Sequence, residues 1–142
     1  MIIHTASEGI SLARKLENDS AAFYEKLAQQ YTAGAETYLA FAKENKKNIV
    51  QFERAYYGVI TDALEGCYAF NIEADDYALD LAIPKASSQS EMVKRAVKLE
   101  EKITGFYTQA AEQSRSLMAD VPRTFSLIAK KRDSRIEKLK AL

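Results

Sequence analysis

Two segments decide the fold: Leu16 to Tyr24, LENDSAAFY, and Leu99 to Tyr107, LEEKITGFY. Both read Leu-Glu, five residues, Phe-Tyr. Around the first, Ile10, Ala13, Leu16, Ser20, Phe23, Tyr24, Leu27 and Tyr31 recur at spacings of three and four, the period of an amphipathic helix. Around the second, Met92, Val93, Ala96, Leu99, Ile103, Phe106, Tyr107, Ala110 and Leu117 do the same. A further pair follows in the same order, AKENKKNI from Ala42 to Ile49 and AKKRDSRI from Ala129 to Ile136. The first of these lies in a stripe running from Tyr38 and Phe41 through Phe52, Tyr56, Val59 and Ile60 to Ala63. The second lies in one from Phe125 and Ile128 to Leu139. The chain therefore reads as a duplicated helical hairpin.

Punctuation between the stripes sets the connections. Thr5 with Glu8 forms a capping box that opens the first helix, and Ser88 with Glu91 forms another that opens the third. Thr32 to Gly34 separate the first two helices, and Gly66 closes the second in the manner of a C-cap. Asp120, ahead of Pro122, suits the N-cap of the fourth helix or the residue before it. Residues 67–87 carry Pro84, Ser87 and no long period, so they form a crossover, in which EADDYALDLAI has the pattern of a short amphipathic helix. The expected fold is all-α, two antiparallel hairpins joined by a long connection, the ferritin-like arrangement of a four-helix bundle.

Composition narrows the function. At 142 residues and 47% hydrophobic, the chain fits one domain spanning 1–142. Lys plus Arg equal Asp plus Glu at 20 each, which removes the basic excess needed to grip nucleic acid or anionic lipid. One cysteine, Cys67, permits neither an internal disulfide nor a four-thiolate metal site. The opening MIIHTASEGI lacks a signal-peptide layout, so a reduced, cytoplasmic setting is expected. No uncharged apolar run approaches the roughly 18 residues of a membrane span.

Polar residues inside the apolar stripes mark where function is to be sought. Glu17 and Glu100 are those residues on helices one and three, and each shares its face with a tyrosine seven residues later, Tyr24 and Tyr107. Asn45 and Asn48 interrupt the stripe of helix two, and Arg132 and Arg135 that of helix four. Equal rise per residue puts Glu17, Asn45 and Asn48 at one depth, counted from Thr32. Counted from Asp120, Glu100 is 20 residues away against 12 and 15 for Arg132 and Arg135. A tilt or a longer turn has to absorb that difference.

The E-x5-FY signature on helices one and three, the helix order, and AKENKKN-IVQFE on helix two resemble the rubrerythrin branch of the ferritin-like superfamily over essentially the whole chain. The resemblance implies two iron or manganese ions, held by one Glu on each of helices one and three and a Glu-x-x-His pair on each of the others. Carried over by position, Glu17 and Glu100 match the single glutamates. Asn45 and Asn48 stand at the Glu and His places of helix two, and Arg132 and Arg135 at those of helix four. Val97 stands where rubrerythrins often carry a further Glu. A guanidinium is always charged and only donates, so it cannot ligate a metal. His4, the sole histidine, precedes the first helix and reads as a tail residue. The two C-x-x-C pairs of a rubredoxin-like module are missing.

Two buried carboxylates without metal repel, whereas two arginines opposite them supply the matching charge. The expected site is thus a buried ion-pair cluster with Asn45, Asn48, Tyr24 and Tyr107 filling the remaining hydrogen bonds, and with no cofactor. In the alternative arrangement Arg132 and Arg135 snorkel to solvent. The leading function is a non-catalytic structural or interaction protein, with a homodimer expected from the aromatic surface around Tyr57. Two rivals stand beside it. One is a di-iron or manganese oxidase or peroxidase using Glu17, Glu100 and carboxylates that read as outward, such as Glu44 and Asp133, which requires a different helix rotation; the other is a binder of a small anionic metabolite at the Arg-Glu-Asn layer. The remaining aromatics read as core filling, the mixed-charge runs KENKK and KKRDSR as solvated faces, and Cys67 as inert packing.

Overall fold

The computed structural model describes residues 1–59, 66–116 and 119–142. Among these, four long helices dominate: α1 (Ala6–Gln30), α2 (Ala35–Tyr57), α3 (Gln89–Ser114) and α4 (Asp120–Lys140). α1 packs along α2 and α3 along α4, and the two hairpins meet chiefly through α2 and α4. Local signals start and stop these helices. The Thr5 hydroxyl accepts from the Glu8 N–H at 3.1 Å while the Glu8 carboxylate accepts from the Thr5 N–H at 2.9 Å, closing the capping box. Ser88 accepts from the Glu91 N–H at the head of α3. Gly34 opens α2 at φ 95°, a left-handed conformation that glycine takes without steric cost.

The expectation of an all-α chain is corrected by a small antiparallel sheet of β1 (Ile2–Thr5) and β2 (Tyr68–Glu73). Ile2 pairs with Glu73, Ile3 with Ile72 and Thr5 with Tyr68, with a bulge between Ile3 and Thr5. A strand of four residues is too short to display a period of two, which is why periodicity alone passes over it. His4 belongs to this strand rather than to a tail, and its ring stacks on Tyr68 at 4.8 Å. The side-chain amide of Gln113 brackets β2 by accepting from the Asn71 N–H and donating to the Asn71 carbonyl. Phe70 and Ile72 point into the core, and the Phe70 ring lies against Gly9 so closely that a Cβ there would fall 2.2 Å from it.

The predicted short helix in 73–83 is reduced to a single 3-10 turn, Ala74–Tyr77, followed by irregular chain. This segment is tied to α3: the Tyr77 ring packs on Phe106 and its hydroxyl donates to Gln109, and Lys102 donates to the Ala78 carbonyl. Asp120 is the first helical residue of α4, not its cap; Ala119, at φ 50°, occupies the cap position. There the Asp120 carboxylate faces the positive end of the helix dipole. The stripe of helix two runs on past Val59 toward a close at Gly66, but α2 ends at Tyr57 with Gly58 at its C-cap, its N–H bonded to the Arg54 carbonyl, and Val59 falls in a turn. Ile60 and Ala63, and Leu117 of helix three, lie outside the described residues. Among the described residues no helix is long and apolar enough to cross a membrane.

Candidate functional site

Among the described residues eight polar or charged ones are buried, and six of them are Glu17, Asn45, Asn48, Glu100, Arg132 and Arg135, none more than 1% exposed. The depth mismatch of the second hairpin disappears once the real helix ends are used. α3 stops at Ser114, 14 residues after Glu100, and α4 starts 12 residues before Arg132 and 15 before Arg135. All six side chains fall in one layer.

Arg132 lies at its centre. Its Nη1 donates to both oxygens of Glu100, at 2.7 and 2.9 Å, and its Nη2 donates to Glu17, Ser20 and Asn45. One guanidinium thus bridges the two carboxylates contributed by opposite hairpins. Arg135 lies one turn on. It donates to Asn45 Oδ1 at 2.6 Å, to the Phe41 carbonyl and to Glu44 at 2.8 Å, and reaches Glu100 at 3.4 Å. Its guanidinium also covers the Phe41 ring, 4.8 Å from the centroid, a favourable stacking for a desolvated cation. Snorkelling of these arginines to solvent does not occur.

The asparagines supply what a carboxylate cannot, donors as well as acceptors. Asn45 donates to the Glu17 carbonyl and to Ser20 Oγ at 2.6 Å, and accepts from both arginines. Asn48 donates to Glu17 Oε1 at 2.8 Å and accepts from Lys131. Tyr24 donates to Glu100 Oε2 at 2.5 Å. Tyr107 differs: its hydroxyl is buried without a hydrogen bond of ordinary geometry, although the Glu17 carboxylate acts on it.

Electrostatics follow from this packing. Burial opposes the charge of Arg132, but the Glu100 and Glu17 carboxylates outweigh it and hold the guanidinium well above its ordinary value. Burial, followed by the carboxylate of Glu100 for Tyr24 and of Glu17 for Tyr107, pushes both phenols well above theirs. The carboxylates, guanidinium groups and amides of the layer hold one another's charge states, while the Arg132 Nε and the Tyr107 hydroxyl are buried without a hydrogen bond of ordinary geometry.

Two participants escape sequence reading. Ser20 sits in the apolar stripe of α1 and passes for a small filler, yet its hydroxyl accepts from Asn45 and Arg132. Glu44 precedes Asn45 and reads as an outward residue; its side chain is about one third exposed and turns back to pair with Arg135. The signal for Glu44 is its place four residues before Asn48 on the edge of the buried face. Asp133 lies instead on the exposed side of α4, in a groove it shares with Glu101, Thr104 and Gln109.

The donor set does not fit a di-metal centre. The positions that the rubrerythrin pattern assigns to ligands hold guanidinium and amide groups, and the Arg132 guanidinium itself fills the space between the carboxylates. Among the described residues no group of three or more His, Cys, Asp or Glu side chains is placed to hold a metal ion. Comparison with family models, with curated proteins and with solved structures gives no match to this chain.

Proposed function

We propose that the chain is a ferritin-like bundle of rubrerythrin type in which an arginine-glutamate cluster stands in place of a dinuclear metal centre. On this reading it works without catalysis, in the cytoplasm, as a structural or interaction protein. The observation that carries the proposal is the bridge of Arg132 between Glu17 and Glu100. A dication and its ligands perform two tasks in such a bundle, neutralising buried carboxylates and cross-linking helices. Arg132 performs both here, with Nη1 on Glu100 and Nη2 on Glu17, a two-nitrogen bridge that a lysine, with its single nitrogen, does not make.

The same geometry favours this reading over its rivals. A site for an incoming anion needs cationic groups left open, whereas the Nη atoms of both arginines are engaged by the protein's own acceptors and the layer is sealed from solvent. An oxidase using Glu44 and Asp133 needs their carboxylates beside Glu17 and Glu100, yet Glu44 is bound to Arg135 and Asp133 lies on the groove between α3 and α4.

The test is metal analysis of protein expressed in iron-supplemented medium. Expected is less than a tenth of an equivalent of transition metal per chain and no charge-transfer absorption. Two ions per chain, or peroxide turnover abolished by Glu17→Ala, overturns the proposal. A second arm rebuilds the ligand pattern: the combined N45E, N48H, R132E and R135H substitutions should confer cobalt(II) binding with visible d-d bands, absent from the parent chain.

A further inference from the structure

Beyond Tyr77 the crossover lies along α3, and between them opens a cleft of about 490 Å³. It is lined by Leu79 and Asp80 of the crossover and by Arg95, Lys98, Leu99 and Lys102 of α3, so three cations face one carboxylate. Two of the cations hold the crossover in place. Arg95 Nη1 donates to Asp80 and to the Ala82 carbonyl, both at 3.3 Å, and Lys102 donates to the Ala78 carbonyl at 2.8 Å. Lys98 has no such duty: among the described residues it makes no hydrogen bond or ion pair. It also stands four residues from both Lys94 and Lys102, the spacing at which like charges repel along a helix. Glu101, three residues on, lines the groove on the opposite flank of α3 with Thr104 and Asp133. The fold does not demand this excess of charge. In the repeat Leu16 corresponds to Leu99, which sets Leu12, Lys15 and Asp19 against Arg95, Lys98 and Lys102. Those three α1 residues line the groove on the other side of Leu79, and there Asp19 neutralises Lys15 at 2.5 Å.

We propose that the α3 cleft binds a small phosphate monoester, its phosphate seated among Arg95, Lys98 and Lys102 and its organic part resting on Leu79 and Leu99. Charge selects the ligand. A phosphate monoester is close to a dianion at neutral pH and so matches three cations set against one carboxylate, whereas a single carboxylate leaves positive charge unbalanced. Donors are to hand as well. Among the described residues Arg95 Nε and Nη2 are uncommitted, an edge of the guanidinium fork that can engage two phosphate oxygens at once. Lys98 contributes three free N–H groups and Lys102 two. The cleft is of the size of small-molecule sites, and the charge-balanced chain lacks the broad basic surface that a nucleic acid or an anionic bilayer demands. Asp80 is the built-in competitor: 69% exposed and 3.3 Å from Arg95, it holds part of the guanidinium that the phosphate would take. The site lies on the flank of the bundle and draws on none of the buried layer, so it stands or falls independently of the metal content.

The experiment is isothermal titration calorimetry of the full chain with phenyl phosphate, inorganic phosphate and benzoate in phosphate-free buffer at neutral pH. Expected is saturable binding of one phenyl phosphate per chain, at least tenfold tighter than inorganic phosphate and than benzoate. Lys98→Gln should weaken it at least fivefold with the urea midpoint unchanged, and Asp80→Asn, which keeps the acceptor for the Ala82 N–H, should tighten it. Lys15→Gln on α1 should leave it as it is. A parallel arm sediments the chain with phosphatidic acid vesicles, from which it should stay in the supernatant. Absence of saturable binding, indifference to Lys98→Gln, weakening by Asp80→Asn, equal binding of benzoate, or Lys98-dependent capture by the vesicles overturns the proposal.

Discussion

Tyr24 on α1 donates its phenolic proton to Glu100 on α3, 2.5 Å away, so a hydrogen bond to a buried charge ties the first helix of one hairpin to the first helix of the other. The repeat counterpart, Tyr107, turns toward Glu17 without making the equivalent bond. The two positions carry the same residue and differ in geometry.

That divergence predicts unequal mutants. Tyr24→Phe removes a donor from a buried carboxylate and should cost about 1.5–3 kcal/mol. Tyr107→Phe removes a hydroxyl that has no well-aligned acceptor and should change stability by less than about 0.5 kcal/mol, or raise it. Urea unfolding of the two variants side by side checks this; equal losses would mean that Tyr107 is bonded as Tyr24 is.

Arg132→Met leaves Glu17 and Glu100 buried with their shared counterion gone, a change that typically costs on the order of 3–5 kcal/mol. Combining it with Glu100→Leu should recover much of the loss, because the cost of desolvating that pair disappears with both charges. The readout is a double-mutant cycle in urea. Because the Arg132 guanidinium is held above its ordinary value by its carboxylates, its contribution is complete below that value and is lost only at still higher pH, so varying pH across the neutral range should not titrate Arg132 itself.

Alkali should act on the phenols instead. Tyr24 and Tyr107 keep their protons more tightly folded than unfolded. The unfolded chain therefore ionises first, and stability that is complete below about pH 10 falls as pH rises beyond it. Absorbance at 295 nm should show at least two of the eight tyrosines, Tyr24 and Tyr107, silent until the helical signal is lost; full ionisation of all eight in folded protein would refute this.

Gly9→Ala tests the seat of the sheet on α1. Alanine improves helix propensity by about 1 kcal/mol, but the new methyl would meet the Phe70 ring, and the clash should outweigh that gain, for a net loss of about 1–3 kcal/mol. Phe70→Leu in the Gly9→Ala background should restore part of it. A stabilised Gly9→Ala variant would show that β2 yields easily.

The reason the four helices are legible in sequence and the sheet is not lies in the length of the signal. Twenty or more residues with a 3.6 period state their buried face repeatedly, and Glu17, Asn45, Asn48, Glu100, Arg132 and Arg135 stand out because they break that statement. β1 has four residues and β2 six. The trace they leave is indirect, a glycine in the first turns of α1 where Phe70 needs room. Ser20 and Glu44 were hidden for a different reason: a small hydroxyl suits an apolar stripe, and the long Arg135 side chain draws in a carboxylate from the rim.

Of the charged groups in the central layer, hairpin one brings two carboxylates, Glu17 and Glu44, and no cation, while hairpin two brings both guanidinium groups and a single carboxylate, Glu100. Neither half can balance its own charge. Helices can form in each hairpin while these side chains remain in water, but the apolar faces close only when the halves meet, since earlier closure would strand an ion in low dielectric. Docking is thereby made the cooperative step, with the residue 67–87 connection raising the local concentration of one half about the other. Expressed as separate fragments, 1–66 and 67–142 should each stay loosely folded and should regain structure on mixing, in the manner of complementary peptides.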